Sequence, residues 1–178
     1  AQVQLEEVRA AGEQRDASKA HAAWADVPRS TRKVPQAIAT YARALLHAGE
    51  PIAAEKVLRE AIDDRVEPQL VRLYGELALA DALSPLDRAE QWLRKSPEDP
   101  DLLAACARLA LHAELIGKAR SYLEASLARK PSAENSLLYA ELLEQLGEGD
   151  RARGVLRDSL TRSVGRRMSL PRVRLRRR

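Results

Sequence analysis

Arg43 with His47, and Arg108 with His112, are the groups in this chain whose types and spacing suit them to hold a ligand. A guanidinium pairs with carboxylates through charge-assisted hydrogen bonds, and a neutral imidazole suits iron. The same residues have a plainer explanation, because the helix dipole favours cations near helix C-termini and a charged helix face is ordinarily just solvated. Cys106 is the sole cysteine. Its neighbours Ala104, Ala105, Ala107 and Leu109 offer no base and no positive charge, so it reads as a small buried hydrophobe. One cysteine allows no intrachain disulfide and no metal cluster. A glycine-rich phosphate loop and a nucleophile with a base at recognisable spacing are also missing, so the expected class is non-catalytic, with no metal and no cofactor.

What positions these residues is a repeat. Ala42, Gly75, Ala107 and Ala140 recur at spacings of 33, 32 and 33 residues, the period of a tetratricopeptide-type helical repeat. Each unit is two antiparallel helices, A and B, that cross closely enough to need a nearly side-chain-free position on each. On helix A this is Ala42, Gly75, Ala107 or Ala140. On helix B it is Ala54, Ala89, Ala119 or Ala152, lying 12, 14, 12 and 12 residues further on, so the second unit carries a two-residue insertion. Around them sit Ile38, Tyr41, Leu45 and Leu58, then Tyr74, Ala78 and Leu93, then Leu103, Cys106, Ala110 and Leu123, then Tyr139, Leu143 and Leu156. Tyr74, Tyr139, Trp92 and Trp24 occupy core-type positions.

Turn signals fall where this scheme needs them. Gly49-Glu50-Pro51 and Gly147-Glu148-Gly149 separate A from B in the first and last units, with glycine free to end a helix in the left-handed conformation. Ser84-Pro85-Leu86-Asp87 reads as an N-cap, a first-turn proline and an acidic third position that start the second B helix. Pro68, Pro100 and Pro131 mark the B-to-A junctions. No alternating apolar run is long enough for a strand. The expected fold is an all-α tetratricopeptide-repeat solenoid wound as a right-handed superhelix, with four repeats at about 35–67, 68–99, 100–132 and 133–160. Residues 1–34 are expected to be leading helices from the end of a preceding repeat region, and 161–178 a basic tail.

Composition agrees. Phenylalanine is absent and aromatics make up 3%, so the core must be built from many small contacts along a stack. The chain begins at Ala1 inside a helical pattern (Val3, Leu5, Val8) and is expected to be a fragment of something longer. A second leading helix, roughly 17–27, carries Trp24 and ends at Pro28, and His21 on it has no evident partner. No signal peptide and no apolar run of about 18 residues occurs, so the piece is expected to be soluble by itself, while a preceding part could hold an anchor. Thr161–Arg178 contains eight arginines and no acidic residue, leaving 22 basic against 26 acidic residues in 1–160, or −4 against +4 for the whole chain. Such a tail can meet anionic lipid headgroups. It lacks aromatic groups for stacking on single strands, which ranks nucleic acid below a membrane surface.

Several segments go beyond a generic repeat. Ala89-Glu90-Gln91-Trp92-Leu93, Pro97-Glu98-Asp99-Pro100-Asp101-Leu102-Leu103, Gly117-Lys118-Ala119-Arg120-Ser121-Tyr122-Leu123-Glu124-Ala125-Ser126-Leu127 and Leu142-Leu143-Glu144-Gln145-Leu146-Gly147-Glu148 run together in a way that resembles the HemY family of bacterial heme-biogenesis membrane proteins. The resemblance covers about Trp24 to Leu160, including Trp24-x-x-x-Pro28 and Leu73-Tyr74-Gly75. The segment from Gly117 to Leu127 is its most specific piece. The chain departs from the family at Ile116, where a large aromatic is usual, and at Cys106-Ala107, where Leu-Gly is more regular.

The resemblance implies a protein anchored in the bacterial inner membrane by N-terminal helices, with a repeat domain expected on the cytoplasmic face, where it scaffolds heme-biosynthesis enzymes. The family supplies no catalytic residues. Helix A positions just after the small residue, Arg43, Glu76, Arg108 and Glu141, are expected to project into the concave groove. One turn on come Leu46 and His47, Leu79, Leu111 and His112, then Glu144 and Gln145. With Arg72 these make a basic stripe over the first three repeats and an acidic patch at the last. A carboxylate-bearing partner, such as an extended peptide or a chain terminus, would favour the basic end. The alternative is a heme or porphyrin carrier using His47 or His112 as an axial ligand. Oligomeric state is left open by the sequence.

Overall fold

Helix-ending and helix-starting residues set almost every boundary. The computed structural model describes residues 2–164, and among these there are ten α-helices, one 3₁₀ turn at Thr31–Lys33 and no strand. The helices are α1 (Gln2–Glu13), α2 (Ala17–Asp26), α3 (Pro35–His47), α4 (Pro51–Asp64), α5 (Pro68–Gly75), α6 (Leu83–Lys95), α7 (Pro100–His112), α8 (Ile116–Arg129), α9 (Ala133–Gln145) and α10 (Gly149–Val164). Proline opens α3, α4, α5 and α7, where its missing N–H is not needed. Asp16, Asp99 and Ser132 cap α2, α7 and α9 by accepting from backbone N–H groups of the first turn.

The A-to-B turns share one device. Gly49 and Gly147 take φ of +82° and +77°, as glycine permits. Arg15 and Glu114 occupy the same place with φ of +55° and +57°, so two of these turns hold an L side chain in the left-handed region. Each of the four lies seven residues past a buried position on its A helix: Val8, Ala42, Ala107 or Ala140. This register makes α1 and α2 a hairpin of the same kind, with Val8 and Ala20 as the fully buried pair twelve residues apart. A valine at the small position hides that hairpin from the repeat pattern.

The structure falls into two compact units that divide between Arg129 and Lys130. In the first, α1, α3, α5 and α7 pack side by side in that order, and α1–α2, α3–α4 and α7–α8 form hairpins. Ala42, Ala54, Ala89, Ala107 and Ala119 are fully buried. The two helical glycines of this unit that have no room for a Cβ, however, both lie against the next A helix. A Cβ on Gly12 would stand 2.6 Å from Ala44 Cα, and one on Gly75 would stand 2.8 Å from Ala105 Cα. The glycine at position 75 therefore answers α7 rather than the expected crossing with Ala89.

The α5–α6 repeat departs furthest from expectation. Helix α5 has only eight residues and ends at Gly75, so Glu76 is its C-cap and Ala78 and Leu79 lie in the connection. Ala78 is exposed, and Leu77 fills the core in its place. Helix α6 starts at Leu83, and Ser84 is not its N-cap: Asp81 Oδ1 accepts from the Leu83 and Ser84 N–H groups instead. With α5 cut short, large side chains join it to α6. Tyr74 and Trp92 meet edge to face at 4.8 Å, and the Trp92 indole N–H donates to Asp63 Oδ1 of α4 at 2.8 Å. A buried aromatic pair adds about 0.5–1.5 kcal/mol beyond its area.

The second unit is the α9–α10 hairpin. Ala140 and Ala152 are buried in it, and Arg151 Nη2 donates to the Tyr139 hydroxyl at 3.3 Å. Helix α10 runs on through Val164, so the first four residues of the arginine-rich Thr161–Arg178 stretch are helical. Its remainder, 165–178, lies outside the described residues.

Candidate functional site

Helix α7 is covered on all sides but one. Leu102 to Ala107, Leu109 and Ala110 are buried, and past the opening Pro100 only Asp101, Arg108, Leu111 and His112 reach solvent, along a single stripe. The equivalent stripe on α3 is Gln36, Thr40, Arg43, Leu46 and His47, with Arg43 and His47 exposed. The side-by-side packing of the A helices forces this arrangement. Helix α7 packs against α5, α6 and α8, and α3 against α1, α4 and α5, which leaves each one strip for water.

On α5 the stripe is interrupted. Arg72 is exposed there, and its guanidinium lies 3.9 Å from Asp101 Oδ1 of α7. That pair shows the α5 and α7 stripes sharing one surface, and it partly neutralises the middle of the expected basic run. Glu76 is exposed just past the helix end, and Leu79 has left the stripe with the connection. Arg43 and His47 have no ion pair among the described residues, and Arg108 is half-buried. Glu141 and Glu144 are exposed on α9, in the second unit.

His47 and His112 end α3 and α7 with α5 between them. Packed helices lie roughly 8–10 Å apart, so the two imidazoles stand about two helix widths from each other and cannot ligate one iron together. At the C-terminal ends of α1 and α3, Gly12, Glu13, Arg15, Leu46 and His47 line an open depression of about 580 Å³.

The sequence did not reveal a set of polar ties between successive repeats. The residue after the buried B-helix alanine is His21, Glu55 or Glu90, and the residue before the small A-helix position is Tyr41, Tyr74 or Cys106. The Tyr41 hydroxyl lies 2.6 Å from His21 Nδ1, whose other nitrogen, Nε2, meets Glu50 Oε2 at 2.8 Å. Trp24 stacks on Tyr41 at 4.4 Å, which makes Trp24 and Tyr41 packing groups. The Tyr74 hydroxyl donates to Glu55 Oε1 at 3.0 Å. In the third repeat Cys106 has no hydroxyl to offer, and Tyr122 from α8 supplies one to Glu90 at 2.8 Å, joined there by Lys118 Nζ at 2.8 Å. The register of tyrosines against polar B-helix residues was the available signal.

These ties account for the electrostatics. Burial pushes the Tyr41, Tyr74 and Tyr122 phenols up, with Glu50, Glu55 and Glu90 adding to it. Burial pushes Glu90 up too, but the hydrogen bonds from Lys118 and Tyr122 outweigh it and hold its carboxyl below the ordinary value of 4.5. Cys106 is fully buried and its thiol is pushed up to about 12 by burial, then by Glu90, which suits packing and not nucleophilic attack.

Solved structures share the helical fold. MamA from Desulfovibrio magneticus RS-1, from residue 41 to its end, superposes with a TM-score of 0.58 at 12% identity, covering 91% of this chain and 96% of that one. A second MamA structure gives 0.56 at 13% identity, over 84% and 90% of the two chains. No protein-family model matches the chain. Among curated proteins there is likewise no match.

The fold is a tetratricopeptide-type helical repeat. Among the described residues, no group of three or more His, Cys, Asp or Glu side chains could hold a metal ion. No helix among them is long and apolar enough to cross a membrane.

Proposed function

We propose that this chain is a non-catalytic protein-docking domain that receives partners on the solvent-facing stripe of its A helices. The observation that carries this reading is the single open strip on α7, matched in register on α3. Both strips present an arginine, then a leucine and a histidine one turn later: Arg43, Leu46 and His47, and Arg108, Leu111 and His112. Identical groups repeated on one face suit an extended partner better than a compact substrate.

The resemblance carried by Gly117–Leu127 favours a finer assignment. In it the domain is the repeat region of a membrane-anchored HemY-like protein at the bacterial inner membrane. It faces the cytoplasm, holds heme-biosynthesis enzymes near the membrane, and touches anionic lipid through its basic tail. The test is capture from a detergent-solubilised bacterial membrane extract, comparing the wild type with the Arg43→Glu/Arg108→Glu double variant at equal helicity. Heme-pathway enzymes recovered by the wild type and lost in the variant would support both levels of the proposal. Equal recovery by both proteins would overturn the stripe, and recovery of unrelated proteins alone would overturn the heme assignment.

A heme or porphyrin carrier is the second reading, favoured by the depression beside His47. It requires a saturable Soret shift on adding hemin that is lost in His47→Ala. The spacing of the histidines restricts it to one imidazole per iron.

A further inference from the structure

Helix α10 is packed on one side only. Ala152 is the one residue of it that is buried, while Val155, Leu156 and Ser159 are half-buried on the side that meets α9. At about 100° per residue, Arg153, Arg157, Leu160 and Val164 fall together within roughly 60° on the adjoining flank. Leu160 is 64% exposed there and Val164 63%. The repeat register shows how far this departs from the other helices. Leu160 stands eight residues past the buried B-helix alanine, as Ile62 does on α4, and Ile62 is only 1% exposed.

The same flank is cationic. Arg157 has no ion pair among the described residues, and Arg153 pairs across the surface with Asp150, three residues back, a geometry that contributes little. From Arg157 to Arg178 the sequence has nine arginines and one acid, Asp158. Met168, Leu170, Val173 and Leu175 lie among those arginines.

Exposed aliphatic side chains one helical turn apart, beside an unpaired arginine, suit the boundary between lipid headgroups and acyl chains. Aliphatic groups bury there, and a guanidinium reaches lipid phosphate while its stem stays in apolar surroundings. Nucleic acid would satisfy the arginines but gives the leucine and valine no apolar layer to enter. No aromatic residue follows Tyr139 to stack on its bases.

We propose that α10 is an interfacial helix that docks this chain on an anionic lipid surface. Leu160 and Val164 enter the acyl boundary, and Arg157 pairs with a headgroup phosphate above them. The proposal rests on the reading of the basic tail as lipid-directed, and adds that a folded helix makes the contact as well as charge. Neither signal suffices by itself, because arginines alone are screened by salt and two aliphatic side chains alone bind only marginally.

The test is sedimentation of the full chain with vesicles of phosphatidylcholine alone, or of phosphatidylcholine mixed with phosphatidylglycerol. Binding is expected on the mixed vesicles only. Leu160→Ser/Val164→Ser is expected to weaken it about tenfold or more at unchanged helicity and melting temperature, since both side chains are exposed. Ile52→Ser, which removes an exposed aliphatic side chain from α4, is expected to leave it unchanged. A second readout is Leu160→Trp, whose added emission is expected to shift to the blue on mixed vesicles and to be quenched by lipids brominated on their acyl chains.

Undiminished binding by Leu160→Ser/Val164→Ser, or absence of quenching in Leu160→Trp, would overturn the helix contact and keep only the basic tail as lipid-directed. No binding to either kind of vesicle would overturn both. Equal binding to the two kinds would overturn the anionic surface. Binding to a single-stranded RNA oligomer with none to vesicles would overturn lipid as the partner and assign the arginines to nucleic acid.

Discussion

Helices α5 and α7 hold the same place in successive repeats and pack against each other, yet they are built differently. Helix α7 runs for 13 residues, ends in a left-handed turn at Glu114 and is covered on all but one strip. Helix α5 stops after eight residues, hands its core position to Leu77 in the connection, and reaches α6 through Tyr74 and Trp92. The two-residue insertion explains the difference. The longer A-to-B connection separates α5 from α6, and the edge-to-face pair of Tyr74 and Trp92 spans between them. For binding, the consequence is that the docking strip draws its matched groups from α3 and α7, while α5 between them offers a paired Arg72 and an early end.

The largest way to break this contrast is Gly75→Ala. The added Cβ would meet the α7 backbone, and overpacking of that kind costs about 1–3 kcal/mol even after the gain in helix propensity. Urea denaturation would read the loss as a lower midpoint at unchanged slope. Gly117→Ala, in α8 where the new Cβ meets nothing, is the control and is expected to be neutral or mildly stabilising.

Next in size is Trp92→Phe. It removes the indole donor to Asp63 from the repeat that relies on it, and a hydrogen bond to a charged group at this depth contributes about 1–2 kcal/mol. No loss of midpoint would mean that α6 is held by shape alone.

A third test sharpens the link between the two repeats, because Glu90 of α6 is tied to Lys118 and Tyr122 of α8. Its folded carboxyl titrates below 4.5, so its contribution is present above that pH and is lost as pH falls through the folded value. Glu90→Gln is expected to flatten the acid limb of the stability curve. An unchanged limb would assign acid sensitivity elsewhere.

The smallest effect belongs to Glu114→Gly, which relieves the left-handed turn after α7 and is expected to raise stability by about 1 kcal/mol or less. A lower melting temperature would mean that the Glu114 side chain holds the turn in a way its backbone does not reveal.

The 33-residue period of small residues announced the helices because close crossings admit only alanine or glycine, and glycine at 49 and 147 announced two of the turns. Arg15, Glu114 and Val8 stayed hidden in the same register. Each breaks the residue-type rule while keeping the geometry, since a packed context can hold a disfavoured φ or admit a larger side chain. His21 gave no sign of a partner because Tyr41 and Glu50 lie 20 and 29 residues away. The repeat register likewise pointed to a basic strip, but Asp101 of the next repeat lies against Arg72.

Alone, the sequence determined the period, the all-α class and which positions must be small, because these follow from local periodicity and from the steric limits of helix crossings. Tertiary structure decided the partners. It set Gly75 against Ala105 rather than Ala89, used Tyr122 to supply the hydroxyl that Cys106 lacks, and gathered Arg15, Leu46 and His47 around one depression. Such pairings depend on how helices settle against one another in space, and α5, five residues shorter than α7, makes different ones from an equivalent start.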